Sequence, residues 1–275
     1  MTRQVHLLEA ELQTQLFERH SRGVDLTENG RSFLSRARSI LREAERTRYE
    51  FRAKSGTVSG PVALAIAPAM VDVVLGPIIA DYTRDYPDVT VEIVEGFTGY
   101  IEEWLVDGRV DLALLYDPRS DKRIRKETLV REQLFVVGPP ELDLRPDKGC
   151  PLASLQSHRI ITASRDQRLR EVVEEAAARA GIPLTIGFEA NSLTVHKALI
   201  RQELGVSFLP YGAVAREVST GTLSAAPVIA PDIEWSVTLA TPALSRLSAA
   251  ARILADTIRA AVAELSTQRR WPGQA

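Results

Sequence analysis

One stretch, Ser55-Gly56-Thr57-Val58-Ser59-Gly60-Pro61, divides the chain into two kinds of pattern. Clustered Ser, Gly and Pro interrupt regular structure, so this segment reads as a linker. Before it, apolar residues recur at helical spacing. After it, short apolar runs alternate with segments of helical period. Such a chain folds as a helical head joined to an α/β body with largely parallel sheets. Its 275 residues allow about two domains and a core of useful size.

The head begins with a predicted helix over 2–16. Val5, Leu8, Leu12 and Leu16 form its apolar stripe, and Arg3, Glu9 and Gln13 lie off it. The period breaks over 17–26. Arg19, His20, Ser21, Arg22 and Gly23 are followed by the alternation of Val24 and Leu26, which predicts a tight, basic, two-stranded wing. Thr27 is a suitable N-cap for a long helix running to about Lys54. Leu34, Ala37, Leu41 and Ala44 give that helix a thin apolar seam, which is the pattern of a helix that pairs with a second one, often in a dimer. Residues 1–54 hold 11 Lys or Arg against 8 Asp or Glu, and the remainder holds 23 against 28. A mildly basic head on an acidic body fits a nucleic-acid-binding end joined to a separate module.

In the body, strands are predicted over 62–67, 89–95, 112–116 and 134–137, with helices over 71–86 and 98–106 between them. The pattern then repeats, with strands over 160–163, 184–189 and 206–209 and helices over 168–180 and 193–204. A strand over 237–240 and a helix over 249–265 end the chain.

Several classes are disfavoured. Cys150 is the single cysteine, so no internal disulfide framework or Cys-rich metal site is expected, and a reducing cytoplasm is the natural compartment. The N-terminus has no signal-peptide pattern, and no apolar run approaches a membrane span. His6, His20, His158 and His196 are scattered without metal-ligand spacing. No Gly-rich phosphate loop follows a strand. The pairs Glu102-Glu103 and Glu174-Glu175 fall on predicted helices, where solvated faces are the ordinary reading. No catalytic constellation, metal or cofactor is expected.

The segment Leu16-Phe17-Glu18-Arg19, continued by Arg22-Gly23-Val24-Asp25-Leu26-Thr27-Glu28-Asn29-Gly30, resembles the wing of LysR-type transcription regulators. Thr2-Arg3-Gln4-Val5 with Leu8, Glu9 and Leu12 resembles their recognition helix. Asp111-Leu112-Ala113-Leu114, Asn191-Ser192-Leu193 and Gly205-Val206-Ser207-Phe208-Leu209-Pro210 resemble their effector domain. The likeness covers essentially the whole chain and is nearest to the nitrogen-assimilation-control-like branch. It implies a partial winged helix-turn-helix over 1–28 and a linker helix over 29–55. It also implies a two-lobed, periplasmic-binding-protein-like effector domain, with lobe I over 59–136 and 238–266 and lobe II over 137–237.

The partners so implied are double-stranded DNA, a small-molecule effector and further copies of the chain, as a homodimer or homotetramer. Family members carry further helices ahead of the recognition helix, so a preceding segment is expected upstream of Met1. Without it, specific DNA binding is expected to be weak or absent, which leaves a cytoplasmic small-molecule-binding protein as the alternative reading. Thr2, Arg3 and His6 would face the major groove, and Arg22 at the wing tip would enter the minor groove.

In open α/β sheets ligands bind beyond the carboxyl ends of strands, near helix N-termini. Ala69, Thr98, Gly99, Tyr116, Ser164, Arg165 and Ser192 fall at such positions. Thr98, Ser164 and Ser192 are also the residue types that cap helices, so capping and ligand binding both remain open for them. Helix N–H groups there suit a small organic anion, and Arg165 could add a cation. The resemblance points to Ala69, Thr98 and Ser192 as effector residues. Ala69 replaces the hydroxyl often found at its position, which weakens carboxylate binding at that end.

Overall fold

The computed structural model describes residues 3–21, 23–52, 57–243, 246–268 and 271. The head opens with α1 (Arg3–Leu12), shorter than the helix expected over 2–16. It ends early because the Glu9 carboxylate accepts the backbone N–H groups of Leu16 (2.8 Å) and Phe17 (3.2 Å), which turns the chain back on itself. β1 (Phe17–His20) and β2 (Gly23–Leu26) pair antiparallel as the expected wing. α2 (Glu28–Arg52) follows. Its N-terminus is capped by Thr27, whose Oγ1 accepts the Gly30 N–H at 2.9 Å and donates to the Gln15 carbonyl at 2.7 Å.

The body starts with β3 (Gly60–Ile66). Pro68 then opens α3 (Pro68–Met70), which passes through a π-helical turn at Val71–Leu75 into α4 (Gly76–Asp85). β4 (Val89–Glu95), α5 (Thr98–Val106) and β5 (Leu112–Tyr116) complete a parallel triplet with β3 at its centre. β6 (Ile124–Gly138) is a 15-residue strand of which only 134–137 were expected. Beyond it lie β7 (Cys150–Pro151), β8 (Arg159–Thr162), α6 (Arg168–Arg179), β9 (Thr185–Glu189), α7 (Leu193–Arg201) and β10 (Val206–Pro210). The chain finishes with α8 (Ala215–Ser219), β11 (Ser224–Ile229), β12 (Glu234–Pro242) and α9 (Ala249–Thr267).

The sheets are mixed rather than largely parallel. The strand order is β4-β3-β5-β12-β6-β10-β8-β9, with β11 also paired to β6. β12 runs antiparallel to β5 and to the first part of β6, whereas residues 134–137 of β6 pair antiparallel with β10 and β11. β6 and β12 therefore join two α/β lobes. α9 returns to the first lobe, where it buries Leu254, Ile258 and Val262, and the Tyr82 hydroxyl donates to the Ala250 carbonyl at 2.8 Å. A second apolar cluster, including Ala63, Ala65, Ile101, Leu105 and Leu115, fixes α5 to its sheet.

α2 is docked on the first lobe by hydrogen bonds. Ser35 Oγ donates to Asp107 Oδ1 and Ser39 Oγ to the Asp107 carbonyl, both at 2.9 Å. Its Ile40, Leu41 and Tyr49 stay exposed.

Candidate functional site

Of the four residues expected at DNA, Thr2 and Arg22 lie outside the described residues. Arg3 and His6 are both exposed on α1, which buries no residue among those described. His6 Nδ1 sits 3.7 Å from the Glu9 carboxylate that shapes the turn into the wing. Asn29 Nδ2 donates to Thr14 Oγ1 at 2.8 Å, so polar contacts tie helix, turn and wing together.

The second candidate site lies where the ends of β3 and β5 and the start of α5, in one lobe, face α6, α7 and the end of β10 in the other. A cavity of about 40 Å³ there is lined by Ala67, Pro68, Ala69, Phe97, Thr98, Tyr116, Gln167, Arg168, Leu169, Leu193, Leu209, Pro210 and Trp235. Its wall is a stacked pair, Tyr116 and Trp235, with ring centroids 4.3 Å apart at 15°. Water-sized space of this volume holds about three waters. Drug-sized ligands need pockets of several hundred cubic ångströms.

Ala69, Thr98 and Tyr116 come together in this lining, as their positions at strand ends predict. Thr98 does not cap α5. Phe97 occupies the cap position, and the Thr98 hydroxyl donates to the Tyr116 carbonyl at 2.9 Å. Gly99 presents its N–H to Gln167 Oε1 of the opposite lobe at 3.1 Å, and a Cβ at Gly99 would come within 2.9 Å of Gln167 Nε2. The buried Gln167 side chain thus takes the place at the α5 N-terminus that an anion would take.

Ser164, Arg165 and Ser192 do not line the cavity. The Ser164 N–H donates to Asn191 Oδ1 at 2.9 Å, and its hydroxyl meets Asn191 and Asp166. The Ser164 hydroxyl draws the Asp166 carboxyl below its ordinary range. Arg165 is exposed. Ser192 caps α7, accepting the Val195 N–H at 3.4 Å.

Residues outside the predicted set bridge the lobes, among them Asp117, Arg119, Gln167, Arg168 and Glu171. Asn191 Nδ2 donates to the Tyr100 hydroxyl at 2.8 Å, and Arg168 Nη2 to Asp117 Oδ2 at 3.0 Å. Arg119 pairs with Glu171 across the cleft, donates to the Asp166 carbonyl at 2.8 Å, and lies 3.6 Å from Glu102. The hydrogen bond from Arg119 holds the Glu171 carboxyl below its usual value, whereas burial lifts that of Glu102. Polar groups in a run such as Asp166-Gln167-Arg168 carry no helical or strand signal, so only the fold reveals which of them face across.

Behind the aromatic wall, Glu132 on β6 is buried and accepts the Trp235 and Trp271 indole N–H groups at 3.3 and 2.6 Å. Burial pushes its carboxyl up to about 7, against the hydrogen bonds from Trp271 and Trp235. His196 is also buried, with Nδ1 at 2.9 Å from Ser207 Oγ and Nε2 at 2.8 Å from the Ala190 carbonyl. Burial lowers its pKa, so it is a satisfied neutral core histidine. Among the described residues no helix is long and apolar enough to cross a membrane, and no cluster of His, Cys, Asp or Glu could hold a metal ion.

The comparisons agree with this layout. Residues 1–31 match the bacterial regulatory helix-turn-helix protein of the lysR family, and residues 55–263 match the LysR substrate binding domain. The HTH-type transcriptional regulator BbuR of Bordetella bronchiseptica is 28% identical, over 99% of this chain and 84% of that protein. The nitrogen assimilation regulatory protein nac of Escherichia coli is 23% identical, over 98% of this chain and 88% of that protein. The effector binding domain of QuiR in complex with shikimate superposes with a TM-score of 0.64 at 18% identity, covering 77% of this chain and 99% of that one. With family models matched across both the head and the two-lobed body, the chain belongs to the LysR family of transcription regulators.

Proposed function

We propose that this regulator binds operator DNA through residues 1–28, pairs through the helix over 29–55, and senses a small organic anion between lobes built from 59–136 with 238–266 and from 137–237. One observation carries the effector reading. The Gly99 N–H at the start of α5 faces the opposite lobe beside an apolar aromatic cavity, and a neutral side-chain amide, Gln167, fills the anion position. Ala69, Thr98, Gly99 and Tyr116 would contact the effector, with Gln167 and Arg168 added from the structure. Ser164, Arg165 and Ser192 are assigned to contacts made as the lobes part. An effector of ordinary metabolite size would require the 40 Å³ cavity to widen.

The DNA contacts are assigned to Thr2, Arg3, His6 and Arg22, with no catalytic step and a cytoplasmic setting. A ligand shifts the protein only by its differential affinity for two arrangements. Lobe movement would therefore act by changing how paired chains present their heads to two half-sites. QuiR's shikimate, a carboxylate, is consistent with the effector class proposed.

The test is a thermal-shift screen of small carboxylic acids, each beside its amide, followed by footprinting on the DNA upstream of the protein's own gene. The expected outcome is an acid that raises Tm where its amide does not, and that changes the length of the protected DNA. Equal shifts for acid and amide would remove the anion assignment, and an unchanged footprint at saturation would remove the coupling.

A further inference from the structure

The aromatic wall of the cavity is tied to the far end of the chain. Glu132 lies opposite Trp235 in the β6–β12 ladder, one residue before β6 leaves β12 for β10. It does not line the cavity, but two indole donors distant in sequence converge on its carboxyl. Trp235 Nε1 donates to Oε1 at 3.3 Å and Trp271 Nε1 donates to Oε2 at 2.6 Å. Tyr116 and Trp235 are the stacked wall itself. Trp271 lies beyond α9, is 4% exposed, and has its backbone N–H on the Leu265 carbonyl at 3.1 Å.

Each indole has a single N–H to give, and a buried acceptor that loses a donor pays its full desolvation cost. A rotation of Trp235 that admits a ligand therefore strips Glu132 of a partner, and Trp271 must follow or be left as its one indole donor. We propose that Glu132 is a positioning residue of the effector pocket, and that through it Trp271 makes the C-terminal segment part of the sensing unit. This rests on reading the cavity as the effector cleft. The raised proton affinity of Glu132 agrees with a carboxyl surrounded by neutral donors rather than cations.

Tryptophan optics test it without an effector. The chain has three tryptophans. In full-length Trp104→Phe/Trp271→Phe protein, Trp235 is therefore the sole emitter. Relative to the Trp104→Phe spectrum less that of Trp104→Phe/Trp235→Phe protein, in which Trp271 alone emits, the expected result is a red-shifted Trp235 emission, more quenching by acrylamide and a weakened near-ultraviolet dichroism from the Tyr116–Trp235 stack. Glu132→Leu should give the same changes, and Glu132→Gln, which keeps an acceptor oxygen, should largely restore the parental spectrum. Trp271→Phe keeps an aromatic ring while losing the donor and the pyrrole half of the indole, so it carries the test even where Glu132→Leu fails to fold. An unchanged Trp235 signal in the Trp271→Phe protein would overturn the proposal, as would a Glu132→Gln protein no better than Glu132→Leu. Failure of every acid to bind while these optical changes occur would sink the effector reading and leave the Glu132 linkage standing.

Discussion

Glu132 gives the molecule an unusual acid response. Its ordinary value of 4.5 rises to about 7 in the fold, so the native state binds a proton more tightly than the unfolded chain. Its contribution is fully present below about 4.5 and is lost as pH rises through about 7, on the order of 3 kcal/mol across the window. Urea midpoints measured between pH 5 and 8 should fall with rising pH by that component, and Glu132→Gln should flatten the slope. A Glu132→Gln protein with the same slope as the parent would show that other groups set it. The Thr98 hydroxyl, by contrast, is already engaged by a carbonyl of its own lobe. Under the proposed effector reading, Thr98 would contribute its place beside the Gly99 N–H rather than a free oxygen.

α5 has two working ends. Its start meets Gln167 and the cavity, and just past its last turn Asp107 accepts Ser35 and Ser39 of α2, with Gly108 packed close to Ser39. Gly108 has φ +61°, and a Cβ there would come within 2.3 Å of Ser39 Oγ. Gly108→Ala should cost about 1–2 kcal/mol through the left-handed backbone. It should also loosen α2, seen as faster hydrogen exchange over residues 35–43 with β3 and β5 unchanged.

β4, α5 and β5 were legible residue for residue, because their apolar periods are uninterrupted. β6 was not. Over 125–132 it carries Arg125, Lys126, Glu127, Arg131 and Glu132, and that half of the strand mostly faces solvent. β11 was missed because Ser224-Ala225-Ala226-Pro227 lacks β-branched bulk and contains a proline. Of the candidate site, the strand-end positions were legible, and Ala69, Thr98 and Tyr116 share the lining of one cavity. The site was not legible for Gln167, Trp235 or Glu132, whose roles depend on which elements meet.

At the scale of the molecule, α2 leaves Ile40 at 69% and Leu41 at 66% exposure, although its polar face is docked on the first lobe. Apolar side chains along one helix are the means by which two such helices pair. Ile40→Glu/Leu41→Glu protein should sediment as a monomer at concentrations where the parent is at least dimeric. Identical sedimentation would place the contact elsewhere.

The nesting of one lobe inside the other sets an order of birth. The strands β8, β9, β10 and β11 and the last residues of β6 all lie between 134 and 229, whereas the first lobe borrows β12 and α9 from residues 234–267. During synthesis the inner unit can close while its outer companion still lacks its last strand and helix. Ribosome-stalled chains ending shortly after residue 229 has left the exit tunnel should resist protease over 134–229 yet be cut readily over 60–116. The half translated first is thus the half that must wait, and until termination it depends on whatever shields nascent chains.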